Sequence, residues 1–126
     1  MNVPDNLKYQ STHEWVNVDG DTARVGISDY AQDELTDIVY VELPDAGREV
    51  KAGEAVCVLE STKIAADVYS PLTGKITRVN EALQDDPSLV NSSPFDQGWL
   101  FEIEVQDKSE IGNLLSPEQY REKISA

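Results

Sequence analysis

From Glu14 onward the apolar positions recur with a period of two. Val16 and Val18 alternate with polar neighbours, Asp19-Gly20 interrupts, and Ala23, Val25 and Ile27 alternate on the return. That period places one face of a strand against a core, and Asp-Gly suits a tight turn, so a β-hairpin is predicted. Ser28-Asp29 then stands where a helix cap belongs, ahead of a short helix through Tyr30-Ala31-Gln32-Asp33-Glu34-Leu35. A capping serine accepts hydrogen bonds from unpaired backbone N–H groups, and acidic residues suit the positive helix end. Tyr30, Ala31 and Leu35 are expected to form the buried stripe of this helix. Ile38 to Leu43 reads as a nearly continuous buried strand, stopped by Pro44-Asp45-Ala46-Gly47.

The next apolar segments are Val56-Cys57-Val58-Leu59 and Val68-Tyr69, which flank a small polar and alanine-rich centre. β-branched and aromatic residues mark both as strands, with a turn beginning at Ser61-Thr62 and Lys63 at or beside its tip. Glu60 lies three residues before Lys63 and Asp67 four after it, while Ala65 and Ala66 keep one side free of bulk. Such a lysine suits a modifying enzyme, which needs an amine on a stiff, protruding turn; a solvated charge would look the same in sequence.

A weak internal duplication frames this hairpin. Val39-Tyr40-Val41 leads through a turn to Val50 and then to the Val56–Leu59 strand. Ile76 to Val79 leads through the polar stretch 81–88 to Leu89-Val90 and then to Leu100-Phe101-Glu102-Ile103. Each copy alone would leave an apolar face wet, so the two are expected to pair as facing sheets. After Val105 the pattern turns helical, weakly over 109–115 and more strongly from Ser116-Pro117-Glu118-Gln119. Serine as cap, proline at the first helical position and glutamine three after the cap form a recognised helix start. Tyr120 and Ile124 would share one face, and the helix is expected to seal one edge or end of the β core.

Composition narrows the chemistry. The 126 residues suffice for one compact domain, with a β core at about 9–105 and a helical segment at about 109–124. The formal charge of -14, from 24 acidic against 10 basic side chains, argues against nucleic-acid partners. No apolar run approaches a membrane span, and the first residues carry neither a basic signal region nor an Arg-rich transit pattern. A soluble, cytoplasmic monomer is expected, with a trimmed mitochondrial form as the other possibility. One cysteine, Cys57, and one histidine, His13, make neither a disulfide nor a zinc site of the usual composition. Cys57 alternates within its strand and reads as a small buried hydrophobe. No phosphate-binding loop, dinucleotide fingerprint, GxSxG or HExxH spacing is present.

Glu60-Ser61-Thr62-Lys63, followed by Asp67-Val68-Tyr69-Ser70-Pro71 and Gly74, resembles the lipoyl-lysine hairpin of the glycine cleavage system H proteins. Further blocks in the same order extend the resemblance over nearly the whole chain: His13-Glu14-Trp15-Val16, Gly26 to Gln32, Val39 to Pro44, Leu89-Val90-Asn91, Gly98-Trp99 and Ser116 to Tyr120. Ile64 departs from the small residue usual beside the lysine. The resemblance implies a mainly β fold, the flattened lipoyl/biotinyl barrel or sandwich of two antiparallel sheets, with a short internal helix and a C-terminal helix. It implies lipoic acid on Lys63, Glu60 as a recognition element for the lipoylating enzyme, and Thr12, Glu14 and Asp67 as the dock of the loaded arm.

The implied role is that of a carrier, not an enzyme. It takes an aminomethyl group from a pyridoxal-phosphate glycine decarboxylase to a tetrahydrofolate-dependent aminomethyltransferase, and dihydrolipoamide dehydrogenase reoxidises it. Three other readings share the fold. A biotin carrier would hold its lysine between methionines, where Thr62 and Ile64 stand here. A lipoyl carrier or relay for a 2-oxoacid dehydrogenase, and an unmodified binding module with Lys63 merely exposed, remain open at this point.

Overall fold

The computed structural model describes residues 1–125. Nine strands form two antiparallel sheets. The larger, in the order β1-β2-β3-β9-β8-β5, comprises Lys8–Tyr9, Glu14–Asp19, Thr22–Ile27, Phe101–Val105, Gly74–Val79 and Glu49–Val50. The smaller, β4-β6-β7, comprises Ile38–Glu42, Ala55–Ser61 and Ala65–Tyr69. Four helices complete the chain: α1 (Asp29–Leu35), α2 (Ala82–Asp85), α3 (Leu89–Ser92) and α4 (Pro117–Ser125), with a 3-10 turn at Lys108–Asn113 before the last.

The main core lies between the sheets. Val25, Ile76, Phe101 and Ile103 from one meet Val41, Leu59 and Val68 from the other, all almost fully buried. This is the facing-sheet arrangement that the two copies require. β4 and β6 pair in the small sheet, and β8 and β9 pair in the large one. The copies differ in the middle, where Val50 joins a strand while Leu89-Val90 is helical.

A second cluster stacks Tyr9, Trp15 and Tyr120 at one end, with Val3 and Leu7. Trp15 lies across from Gly26 in the β2–β3 ladder. A Cβ at Gly26 would stand 2.6 Å from the indole, so only glycine admits the ring there. Both predicted helix starts hold. Ser28 Oγ accepts from Ala31 N at 3.2 Å, Ser116 Oγ accepts from Gln119 N, and Gln119 Oε1 answers by accepting from Ser116 N at 2.9 Å.

Three expectations are corrected. The Ile38–Leu43 run is not a continuously buried strand: β4 is an edge, Val39 and Tyr40 are exposed, and Ile38, Val41 and, in part, Leu43 face the core. An irregularity between Ile38 and Tyr40 breaks the alternation and turns both neighbours outward. The stretch 81–88 is not only a polar connection: it holds α2, and the Leu89-Val90 step after it is α3, anchored by buried Leu83 and Val90. On α1 Leu35 is buried, whereas Tyr30 and Ala31 are only half-buried, Ala31 still packing against the core.

Those two short helices also serve β4. Ile38 N donates to Asn91 Oδ1 at 2.9 Å, and Gln84 Nε2 donates to Val41 O at 3.0 Å.

Candidate functional site

Two places in this fold carry chemistry, the β6–β7 hairpin tip and a cavity beside β7. At the tip, Ser61 does the structural work. Its hydroxyl accepts from Lys63 N at 3.1 Å and Ile64 N at 3.0 Å, and it donates to Ile64 O at 3.0 Å. The backbone adds Ser61 N to Ile64 O at 2.8 Å and Thr62 N to Asp37 O at 3.0 Å. A turn whose N–H groups are held by one side chain is stiff. Lys63 is exposed there and forms no ion pair among the described residues. Ile64 beside it is 50% exposed, so the branched side chain leans into solvent instead of covering the tip. Glu60 pairs across the sheet with Tyr40 on one side and Ala65 on the other, on the outward face, away from the cavity.

The cavity measures about 340 Å³ and lies between α1, β7 and the turn that precedes β2. Ile27, Leu35, Leu59 and Val68 make its apolar walls. Thr12, Glu14 and Asp67 line it together, so the three residues expected to meet do so. Glu14, which sequence alone placed on a hairpin flank, is only 1% exposed. Its Oε2 accepts from Tyr69 N, the outward N–H of the β7 edge, at 3.1 Å. Thr12 Oγ1 donates to its Oε1. No cationic side chain pairs with it among the described residues. Burial pushes the Glu14 carboxyl up to about 7, against the pull of the Thr12, Tyr69 and Gln10 hydrogen bonds.

Sequence reasoning missed four lining or supporting residues: Gln10, His13, Tyr30 and Glu34. His13, Tyr30 and Glu34 line the cavity. The His13 ring sits 4.9 Å from that of Tyr30, and its backbone adopts φ 82°, uncommon outside glycine. Desolvation holds its imidazole below the usual histidine range. Cys57 is 3% exposed, and burial pushes its thiol up to about 12, which fits the expected packing role.

The two places connect along β7. Lys63 precedes Ala66 to Val68 by three to five residues, which an extended strand turns into about 10–17 Å. A lysine side chain alone does not span that, but an elongated acyl arm on its amine does. A flexible arm with a cationic end would find apolar walls for its length and a buried carboxylate for its tip.

Known proteins match this arrangement over nearly its full length. Residues 7–126 match the family model for the glycine cleavage H-protein. A probable glycine cleavage system H protein of Haloarcula marismortui is 55% identical over 124 residues, covering 98% of each chain. The glycine cleavage system H protein of Endomicrobium trichonymphae is 50% identical, covering 98% of this chain and 100% of its own. The crystal structure of a glycine cleavage system H protein from Mycobacterium marinum superposes with a TM-score of 0.90 at 35% identity, covering 98% and 100%.

Proposed function

Because the chain belongs to the glycine cleavage H-protein family, we propose that Lys63 is the residue that bears its lipoyl group. The chain is a lipoyl-lysine carrier that shuttles an aminomethyl group within the glycine cleavage system, and it is not an enzyme. Members of the family carry lipoic acid on a lysine and work with the P, T and L proteins of that system. In this reading those are the glycine decarboxylase, the aminomethyltransferase and dihydrolipoamide dehydrogenase.

The observation that carries the assignment is the Ser61-locked tip with an unpaired, exposed Lys63. Lys8, Lys51, Lys75, Lys108 and Lys123 lack that setting, and Lys108 is paired with Asp21. When bound, the lipoyl group supplies a dithiolane sulfur as the acceptor for the aminomethyl cargo. This chain's residues do the rest. Lys63 tethers the arm and keeps the cargo at high local concentration for successive partners. Glu60, outward and next to the tip, is the recognition element for the lipoylating enzyme. Thr12, Glu14 and Asp67 receive the ammonium of the cargo, since a hydroxyl and two carboxylates all accept from it. Ile27, Leu35, Leu59 and Val68 exclude water around it.

The chain acts in this reading as one carrier domain, a monomer in the cytoplasm, with no nucleic-acid partner. No helix among the described residues is long and apolar enough to cross a membrane. The intact mass of the protein from its own cells tests the assignment. A lipoyl adduct mapped to Lys63 is expected; an adduct on another lysine, a biotinyl adduct or none at all contradicts it.

A further inference from the structure

Gln10 occupies the turn between β1 and β2, and its side-chain nitrogen makes two contacts there. Nε2 donates to Thr12 Oγ1 at 2.6 Å and to Glu14 Oε1 at 2.8 Å. Thr12 Oγ1 donates to that same Glu14 oxygen, so the three side chains close a ring. An ionised carboxylate only accepts, which fixes the amide with its nitrogen towards Glu14. The backbone holds Gln10 in place independently. Gln10 N donates to Glu14 O at 2.8 Å, and His13 N donates to Gln10 O at 2.9 Å. The left-handed backbone of His13 makes the return possible, and strain of this kind persists where the surroundings fix it.

We propose that Gln10 is the positioning residue of the cargo cavity, holding the Thr12 hydroxyl and the Glu14 carboxylate in the one arrangement that receives an ammonium group. This rests on the reading of the cavity as the shelter of the aminomethyl cargo. Glu14 is buried and has no cationic partner, so its charged form depends on the donors around it. Oε2 has Tyr69 N; Oε1 has Thr12 and Gln10. Without Gln10, the Thr12 hydroxyl loses the donor that orients it and Oε1 keeps a single bond.

No neighbour replaces it. β7 contributes Asp67 and Tyr69, α1 contributes Tyr30 and Glu34, the turn contributes His13, and α4 contributes Tyr120 behind the wall. His13 is held towards its neutral form by desolvation, with the Lys123 charge on α4 pushing the same way. Gln10 and Thr12 thus give Glu14 donors without adding a charge that would compete with an ammonium ligand, and Gln10 holds Thr12 as well.

The test uses Gln10→Met, which keeps length and drops both donors, and Gln10→Glu, which keeps shape and puts a carboxylate against a carboxylate. In the unlipoylated chain, carbon-13 NMR follows the Glu14 carboxyl titration. Its midpoint should rise by about one pH unit in Gln10→Met, as loss of a hydrogen bond to a charged group implies, and further in Gln10→Glu. An unchanged midpoint in both variants overturns the proposal. In the lipoylated, loaded chain, Gln10→Met should release ammonia and formaldehyde about tenfold faster at neutral pH, with Glu14→Gln as the benchmark. Fast release from Glu14→Gln with wild-type release from Gln10→Met also overturns it. Wild-type release from Glu14→Gln, with the Gln10→Met midpoint still raised, sinks the shelter reading and leaves the hold of Gln10 on Glu14 standing.

Discussion

Tyr120, on the last helix, holds His13, in the first turn, through a hydrogen bond of 2.9 Å between its hydroxyl and Nδ1. The same hydroxyl meets Ser28 Oγ at 2.6 Å, and the ring stacks on Tyr9 at 4.5 Å. Ser28 is buried and accepts from Ala31 N, and its Oγ has a second lone pair, so either hydroxyl of the Ser28–Tyr120 pair can be the donor. The tyrosine hydroxyl thus ties Ser28, which caps α1, to the His13 ring of the cavity wall. The helix expected only to seal an end of the core therefore also holds a residue of the cavity wall.

Tyr120→Phe should keep the stack and lose both hydrogen bonds. Urea unfolding should show a loss of about 1–2 kcal/mol, and the imidazole nitrogen shifts should move as His13 loses this partner. A histidine spectrum unchanged by the substitution contradicts this contact.

Lys63→Arg should fold as the wild type does and stay unmodified, because arginine keeps charge and reach but not an acylable amine. Intact mass after incubation with the lipoylating enzyme checks it. An adduct that persists in this variant removes Lys63 from its place.

Glu60→Ala should slow lipoylation while shifting stability by no more than about 0.5 kcal/mol, as exposed substitutions generally do. Rate and melting curve are measured on the same sample. Wild-type lipoylation kinetics would return Glu60 to the solvated charges.

Glu14→Ala and Asp67→Asn should each shorten retention of the aminomethyl cargo at neutral pH, followed as release of ammonia and formaldehyde. Glu14 also makes a pH prediction for the empty chain. Its folded carboxyl, at about 7, lies above the ordinary value of 4.5, so the folded state binds the proton more tightly than the unfolded one. The stability difference between wild type and Glu14→Ala should therefore fall as pH rises from about 4.5 to 7, by on the order of 3 kcal/mol. A difference that stays flat or rises across this window contradicts the buried, uncompensated carboxylate.

Cys57 should ignore thiol reagents in the native chain and react fully in denaturant, since the thiolate is the reactive form and burial suppresses it. Absorbance on reaction with an aromatic disulfide distinguishes the two states. Rapid native labelling would place the thiol at the surface.

Features set by neighbours in sequence were legible before the fold was known. Asp19-Gly20, Ser28 and the Ser116–Gln119 box each name a turn or a cap by local chemistry, and each appears where the residues put it. Features set by distant partners were not. Glu14 is buried because Tyr69, 55 positions away, offers an edge N–H to it. The run from Ile38 looked buried because apolar residues were contiguous, whereas an irregular register turns Val39 and Tyr40 outward. α2 and α3 span four residues each, too short to form without packing, and are held by Leu83 and Val90. The lysine tip was legible and its cavity was not, because the tip is one hairpin and the cavity draws on three separate segments.

The side chains of Asn91 and Gln84 on the rim of β4 bear on how this protein lives among copies of itself. A sheet edge with open N–H and C=O groups is a template for another chain. This one carries two exposed apolar residues, Val39 and Tyr40, beside the strand that leads to the Lys63 tip. Asn91 takes the Ile38 N–H and Gln84 takes the Val41 carbonyl, so the rim offers a newcomer no continuous ladder. Removing both amides would open this rim to strand-to-strand association. A carrier caught in such stacks would be folded, modified and useless, its lysines out of reach of the enzymes that load them.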